Sequence, residues 1–188
     1  MDIVLIHGAN ASKISWNWIG SNITDSHRLT WGMMIHPANN LRQMSEALPE
    51  KCIVVGHSMG GLYAWHLANQ NPEKVVAGIS IATPWGGSIQ AGFWKMFNFN
   101  IPWLQMLSRM EPWTAETRLT DAPVPWTNVV CTHGFDLFGV GENDGVVTVE
   151  SQRELYGPAK EIVLDYGHNE VLQSPELLEI IKQSQASF

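Results

Sequence analysis

Residues 52–62 read Cys-Ile-Val-Val-Gly-His-Ser-Met-Gly-Gly-Leu, and the order of those residue types decides the fold. Cys52-Ile53-Val54-Val55 is an unbroken apolar run, the mark of a strand covered on both faces. Leu62 to Asn71 behind it is helix-like. Between the two, Gly56-His57-Ser58-Met59-Gly60 has the form GxSxG. The letters alone carry little, but between a buried strand and a helix they spell the sharp turn that lifts a serine hydroxyl off a sheet. Ser58 is therefore the candidate nucleophile. Gly56 and Gly60 have a steric task, because a strained turn that packs a helix on a strand leaves no room for side chains there. The N–H of Met59 falls at the helix N-terminus, where unpaired donors and the helix dipole favour an anion. An ordinary tight turn with an incidental serine is the competing explanation, and it accounts for neither the flanks nor the partners below.

Working outward, Asp2 to Ile6 is a second short apolar run, ending in His7-Gly8-Ala9-Asn10. Ile14 and Trp18, four apart, suggest a brief helix. A strand is expected over about Leu29 to Ile35, stopping at His36-Pro37. Leu41, Met44 and Leu48 keep helical spacing, with Asn39 or Asn40 as N-cap. Further strands are expected at Val75 to Ala82, Asn128 to Thr132 and Glu161 to Leu164. A short helix is expected at Glu150 to Leu155, and a closing one after Ser174-Pro175-Glu176, as N-cap, N1 and N2. Strands alternating with helices imply a parallel, right-handed, doubly wound sheet with ligands at the carboxyl ends of its strands.

Residues 84–126 break that rhythm. The stretch from Thr83 to Trp126 holds five of the nine tryptophans, Trp85, Trp94, Trp103, Trp113 and Trp126. Trp103, Met106, Leu107 and Met110 form one apolar helical face. Placed at the carboxyl edge, this insertion is expected to form a cap or acyl-chain wall with Trp85, Trp94, Phe97 and Trp103 as substrate-binding side chains; the alternative is that it closes the core of a small domain.

The strand, GHSMGG and helix resemble the α/β-hydrolase fold, with bacterial lipases and small esterases as the nearest pattern, over a span from Ile3 to about Ile181. The resemblance implies a minimal α/β-hydrolase: one domain over residues 1–188, about six mostly parallel strands, helices on both faces and the small aromatic-rich insertion. It implies that the HG dipeptide begins a loop whose next N–H, that of Ala9, completes an oxyanion hole with Met59. His7 itself reads as orienting backbone. The Asn143-Asp144-Gly145-Val146-Val147 string resembles the family's acid motif and makes Asp144 the candidate acid, with Asp136, nearer the strand end, as runner-up. His168, after the last strand, occupies the place of the family's base, with His133 in reserve. The chain order Ser58, Asp144, His168 is that of the fold.

A serine hydroxyl is a weak nucleophile at neutral pH and needs a base that is itself oriented by a carboxylate. The expected activity is cleavage of a carboxylic ester through an acyl-enzyme. Thioester or amide cleavage by the same groups, or lipid or partner binding without catalysis, are the rival readings.

Composition bounds the partners. The 188 residues carry 45% hydrophobic and 15% charged side chains, enough for one core, and 11 Lys and Arg stand against 18 Asp and Glu, a formal charge of −7. Nucleic acid is excluded as an expected partner. No metal or cofactor is expected: the seven histidines are scattered and HExxH is absent. The start lacks a signal-like pattern, no apolar run is long enough for a membrane span, and Cys52 and Cys131 read as buried reduced thiols, which together predict a cytoplasmic protein. Absence of the strands that precede HG in larger members leaves an edge open to homodimerisation.

Overall fold

A computed structural model describes residues 1–87, 117, 119–136 and 141–188. The described elements alternate along the chain as β1 (Asp2–Ile6), α1 (Asn17–Ser21), β2 (Ser26–Leu29), α2 (Pro37–Glu46), β3 (Cys52–His57), α3 (Met59–Gln70) and β4 (Val75–Ile81). Then come β5 (Trp126–Cys131), α4 (Val149–Gln152), β6 (Lys160–Leu164) and α5 (Pro175–Ser187). The strands form one six-stranded sheet in the order β2-β1-β3-β4-β5-β6, with every pair parallel. The doubly wound α/β sheet of about six strands expected from the sequence is the one observed among the described residues, fully rather than mostly parallel.

The strand pattern explains the layering. Successive residues of a strand point to opposite faces, so Val4, Ile6, Cys52 and Val54 pack beneath α2 and α3 with Leu41, Met44 and Leu62. Ile3, Leu5, Ile53 and Val55 pack on the other side with Ile19 of α1 and Leu177 and Ile181 of α5. Continuous apolar runs are what two covered faces require. Cys52 and Cys131 fall in the two opposite layers and are both free and buried. Burial pushes their thiols up to about 11 and about 12, which keeps them protonated and unreactive.

The chain runs outward from β1 to β2, then re-enters beside β1 as β3. The strand order therefore reverses between β1 and β3, and the crevice at the carboxyl end of such a switch point is where doubly wound sheets bind ligands. The loop after β1 carries His7, Gly8 and Ala9; the turn after β3 carries Ser58.

Several boundaries differ from expectation. The second strand is Ser26–Leu29 rather than Leu29 to Ile35, its register fixed by Ile3 opposite Ser26. An edge strand has one ladder partner and little to bury, so it carries no apolar run. Residues 30–36 instead lead to α2, whose N-cap is His36, with Nδ1 accepting from Ala38 N and Pro37 at N1. Asn40 caps nothing; it is buried and donates to the Tyr63 hydroxyl at 3.1 Å. The closing helix begins as read, with Ser174 Oγ accepting from Leu177 N at 3.2 Å.

Gly60 shows how tightly α3 is laid on the sheet. A Cβ built there would fall on the backbone carbonyls of Ile6 and His7, and one at Gly56 on the Gly60 carbonyl. Backbone on both sides cannot rotate away, so Gly60→Ala is expected to destabilise the fold by about 3 kcal/mol, the upper range for overpacking. Urea unfolding measures this, and an unchanged midpoint would mean that α3 is not held against β1 as described.

Candidate active site

Ser58 stands between β3 and α3 with φ 53° and ψ −128°, backbone that L-residues seldom adopt. Such strain costs on the order of 1–3 kcal/mol and persists only where the surroundings enforce it. Here the Ser58 N–H is tied to the Ile81 carbonyl at 2.8 Å, and its own carbonyl accepts from Gly61 N at 2.9 Å. The side chain is left half-buried above the sheet. Met59 N–H opens the first turn of α3, where backbone donors have no intrahelical partner.

The loop after β1 is organised by His7. Nδ1 donates to the Gly8 carbonyl at 2.8 Å, leaving Nε2 to accept from the Thr30 hydroxyl at 3.0 Å. The ring stacks on Trp31 at 5.3 Å, and the Trp31 indole N–H donates to the His7 carbonyl at 2.8 Å. Burial lowers the pKa of His7, which keeps it neutral. Because the Gly8–Ala9 peptide is trans, its C=O and N–H point opposite ways. Holding the carbonyl on the imidazole turns Ala9 N–H away from the ring. Gly8 lies against the serine turn, since a Cβ there would sit 2.9 Å from Ser58 Cβ.

Across the sheet edge, His168 and Asp144 meet. His168 Nδ1 lies 2.7 Å from Asp144 Oδ2, with exposures of 8% and 0% for the two side chains. Oδ1 of the carboxylate accepts from Val146 N at 2.9 Å and Val147 N at 2.7 Å. A carboxylate only accepts, so Nδ1 carries the proton and Nε2 keeps its lone pair. His168 N–H also donates to the Asp144 carbonyl at 2.8 Å. Asp136 is exposed and accepts from Gly141 N at 3.2 Å. His133 is 68% exposed and faces Asp165 at 3.4 Å. The structure thus brings Asp144, and not Asp136, to the imidazole. No hydrogen bond joins Ser58 Oγ to His168 among the described residues; apo sites often tighten that contact only with substrate bound.

Asp144 has a partner that no motif announces. Gln152 is fully buried; its Oε1 accepts from Cys131 N at 2.8 Å, and its Nε2 donates to Cys131 O at 2.9 Å and to Asp144 Oδ2 at 3.3 Å. It thereby anchors the Asp144 loop to β5. Gln152→Met keeps the volume but removes both the donor to Asp144 and the acceptor for Cys131 N–H, and a fall in ester kcat of about tenfold is expected, within the ~100-fold that a misplacement of about 1 Å can cost. Steady-state rates check this, and an unaltered kcat would show that the amide serves only the fold.

The expected acyl-wall residues fare differently. Trp85 is not a wall: it is fully buried, donates its indole N–H to Asn128 Oδ1 at 3.2 Å and packs edge-on against Trp126 at 6.3 Å. Trp126 itself belongs to β5 and donates to Ser80 Oγ at 3.0 Å. Both indoles need a buried polar partner and find one in the core. Trp94, Phe97 and Trp103, with most of 84–126, lie outside the described residues. Among the described residues there is no cluster of His, Cys, Asp and Glu able to hold a metal ion, and no helix long and apolar enough to cross a membrane.

Comparison with known proteins gives the same architecture. The profile described as the alpha/beta hydrolase family matches residues 3–125. The mature form of a Bacillus licheniformis lipase superposes with a TM-score of 0.74 at 18% identity, covering 97% of this chain and 91% of its own. A metagenomic carboxyl esterase superposes with a TM-score of 0.74 at 16% identity, covering 100% of this chain and 76% of its own. The thioesterase domain from the curacin biosynthetic pathway gives 0.61 at 15% identity, over 96% and 90% of the two chains. No curated protein matches at the level of sequence. At these identities the structural likenesses speak for the fold alone. The matched residues include the turn bearing Ser58 and the loop bearing Ala9; Asp144 and His168 lie beyond them.

Proposed function

The chain belongs to the alpha/beta hydrolase family, and from that premise we propose that it is a serine hydrolase that cleaves carboxylic esters through an acyl-enzyme on Ser58. The observation that carries this reading is the buried Asp144–His168 pair, set at the same sheet edge as the strained serine turn.

In the proposed cycle His168 Nε2 takes the proton as Ser58 Oγ attacks the ester carbonyl. The carbonyl oxygen becomes an oxyanion facing the N–H groups of Ala9 and Met59, each worth about 2.7 to 4 kcal/mol to the transition state. Collapse breaks the bond to the alcohol, which leaves with the proton from His168. Water then repeats the sequence: His168 takes its proton, its oxygen attacks the acyl carbon, and Ser58 Oγ is released reprotonated with the free acid. Asp144 holds the imidazole tautomer throughout and stabilises the imidazolium.

Thioester cleavage by the same groups is the second reading, because a nucleophile, base and oxyanion donors that serve acyl transfer from oxygen serve it from sulfur as well, on a fold shared with a thioesterase domain. Parallel assays with p-nitrophenyl esters and acyl thioesters decide between them. Turnover of short p-nitrophenyl esters is expected; turnover of thioesters alone would move the assignment, and turnover of neither would remove it. A series of acyl lengths tests whether the aromatic insertion forms an acyl wall, since activity confined to two or three carbons would deny it that role.

A further inference from the structure

We infer that His57 is a positioning residue: its Nε2–H, donated to the His168 carbonyl, holds the loop of the base at working distance from the turn of the nucleophile. The inference rests on the serine-hydrolase reading above and adds a residue to it.

The bonds between Asp144 and His168 all lie within one half of the site, and those of His7, Gly8 and Ser58 within the other. Among the described residues, the hydrogen bond that crosses between the halves runs from His57 Nε2 to the His168 carbonyl at 2.7 Å. Both ends are firmly seated. His57 is the last residue of β3, paired opposite Ile81. Ser58, the next residue, is tied to the carbonyl of that same Ile81. His168 is held from its other side by its N–H on the Asp144 carbonyl at 2.8 Å. A shift of the base loop relative to Ser58 must therefore stretch or break the His57 bond.

The surroundings of His57 fix its tautomer. A carbonyl only accepts, so Nε2 carries the proton and Nδ1 a lone pair. Nδ1 is buried without a hydrogen-bond partner, and a Cβ on Gly8 would sit 3.2 Å from it. The ring meets Trp16 edge-on at 6.5 Å and lies 4.8 Å from the ring of His168. Burial, with His168 and His7 facing it, lowers its pKa to about 3. A second imidazole this close to the base would otherwise compete for the proton that Ser58 gives up. Held neutral with its N–H committed, His57 leaves that task to His168.

The test compares His57→Leu, which fills the space without a donor, with His57→Gln, whose amide nitrogen can reach the Nε2 position. For His57→Leu we expect ester kcat to fall by about 100-fold with KM unchanged, the loss a displacement of about 1 Å can cause. His57→Gln should recover most of it. Equal kcat in His57→Leu and wild type, or no recovery in His57→Gln, would overturn the role. Should neither variant fold, ¹⁵N spectra of the wild type decide: a neutral Nε2–H ring from about pH 5 to about pH 8 supports it, and an Nδ1–H or titrating ring overturns it. A wild type inert to esters, thioesters and fluorophosphonate would strike the serine-hydrolase reading itself, whereas an active wild type matched by His57→Leu strikes only the positioning role.

Discussion

Replacing Ser58 by alanine is expected to lower ester kcat by about 10⁶-fold, the scale on which loss of a triad serine leaves only the residual contribution of binding and oxyanion stabilisation. The change deletes one oxygen and keeps Cβ, so the contact with Gly8 and the positive-φ backbone survive. Thermal stability should be unchanged or slightly raised, because the backbone strain belongs to the turn and not to the hydroxyl. That separation makes the variant informative: a rate loss with an intact fold locates the chemistry on Oγ. Retained turnover would move the nucleophile elsewhere and leave the strain at Ser58 without a purpose.

The second large effect concerns the acid. Asp144→Asn keeps the shape and can still accept from Val146 and Val147 through Oδ1, where the carboxylate now receives both N–H groups. The amide nitrogen facing His168 Nδ1 would donate instead of accept. The imidazole then favours the tautomer with its proton on Nε2, which cannot take another from serine, and kcat should fall by about 10⁴-fold. Asp136→Asn alters an exposed side chain and should leave the rate near that of the wild type. Steady-state kinetics on one p-nitrophenyl ester compares the two; a loss confined to Asp136→Asn would reverse the assignment. This pair is the sharper test of the half of the site that lies outside the residues matched by the family profile.

What the sequence made legible follows from burial. β1 and β3 are covered on both faces, so they appear as unbroken apolar runs, and the glycines of the serine turn are dictated by the carbonyls of Ile6, His7 and Gly60 that press on them. Asp144 and His168 could be picked out because their loops follow strands and the Asn143-to-Val147 string favours Asp144 over Asp136, while the contact of Asp144 with the imidazole is tertiary and is not encoded in spacing. β2 was misplaced because Ser26–Leu29 is held by ladder bonds to β1 and carries no periodic signal. The apolar Met34 and Ile35 beyond it, read as strand, are exposed.

The tryptophans misled for a related reason. Composition groups Trp85 and Trp126 with the insertion, but their indole N–H groups are satisfied by Asn128 and Ser80 inside the core. Trp126 does run directly into Thr127-Asn128-Val129-Val130, a β-prone continuation that could have marked it as strand. Gln152 and His57 had no comparable cue. Each acts through a tertiary contact, Gln152 across to β5 and Asp144 and His57 across to the His168 loop, and neither spacing nor residue type encodes such a contact.

The most direct measurement is a crystal structure of the protein after reaction with a fluorophosphonate. The account predicts phosphorus bonded to Ser58 Oγ, a phosphoryl oxygen within hydrogen-bond reach of the N–H groups of Ala9 and Met59, and the His168 imidazole facing the adduct with Asp144 behind it. Phosphorus on another residue, or an adduct on Ser58 with His168 turned away and no carboxylate at its back, would contradict it.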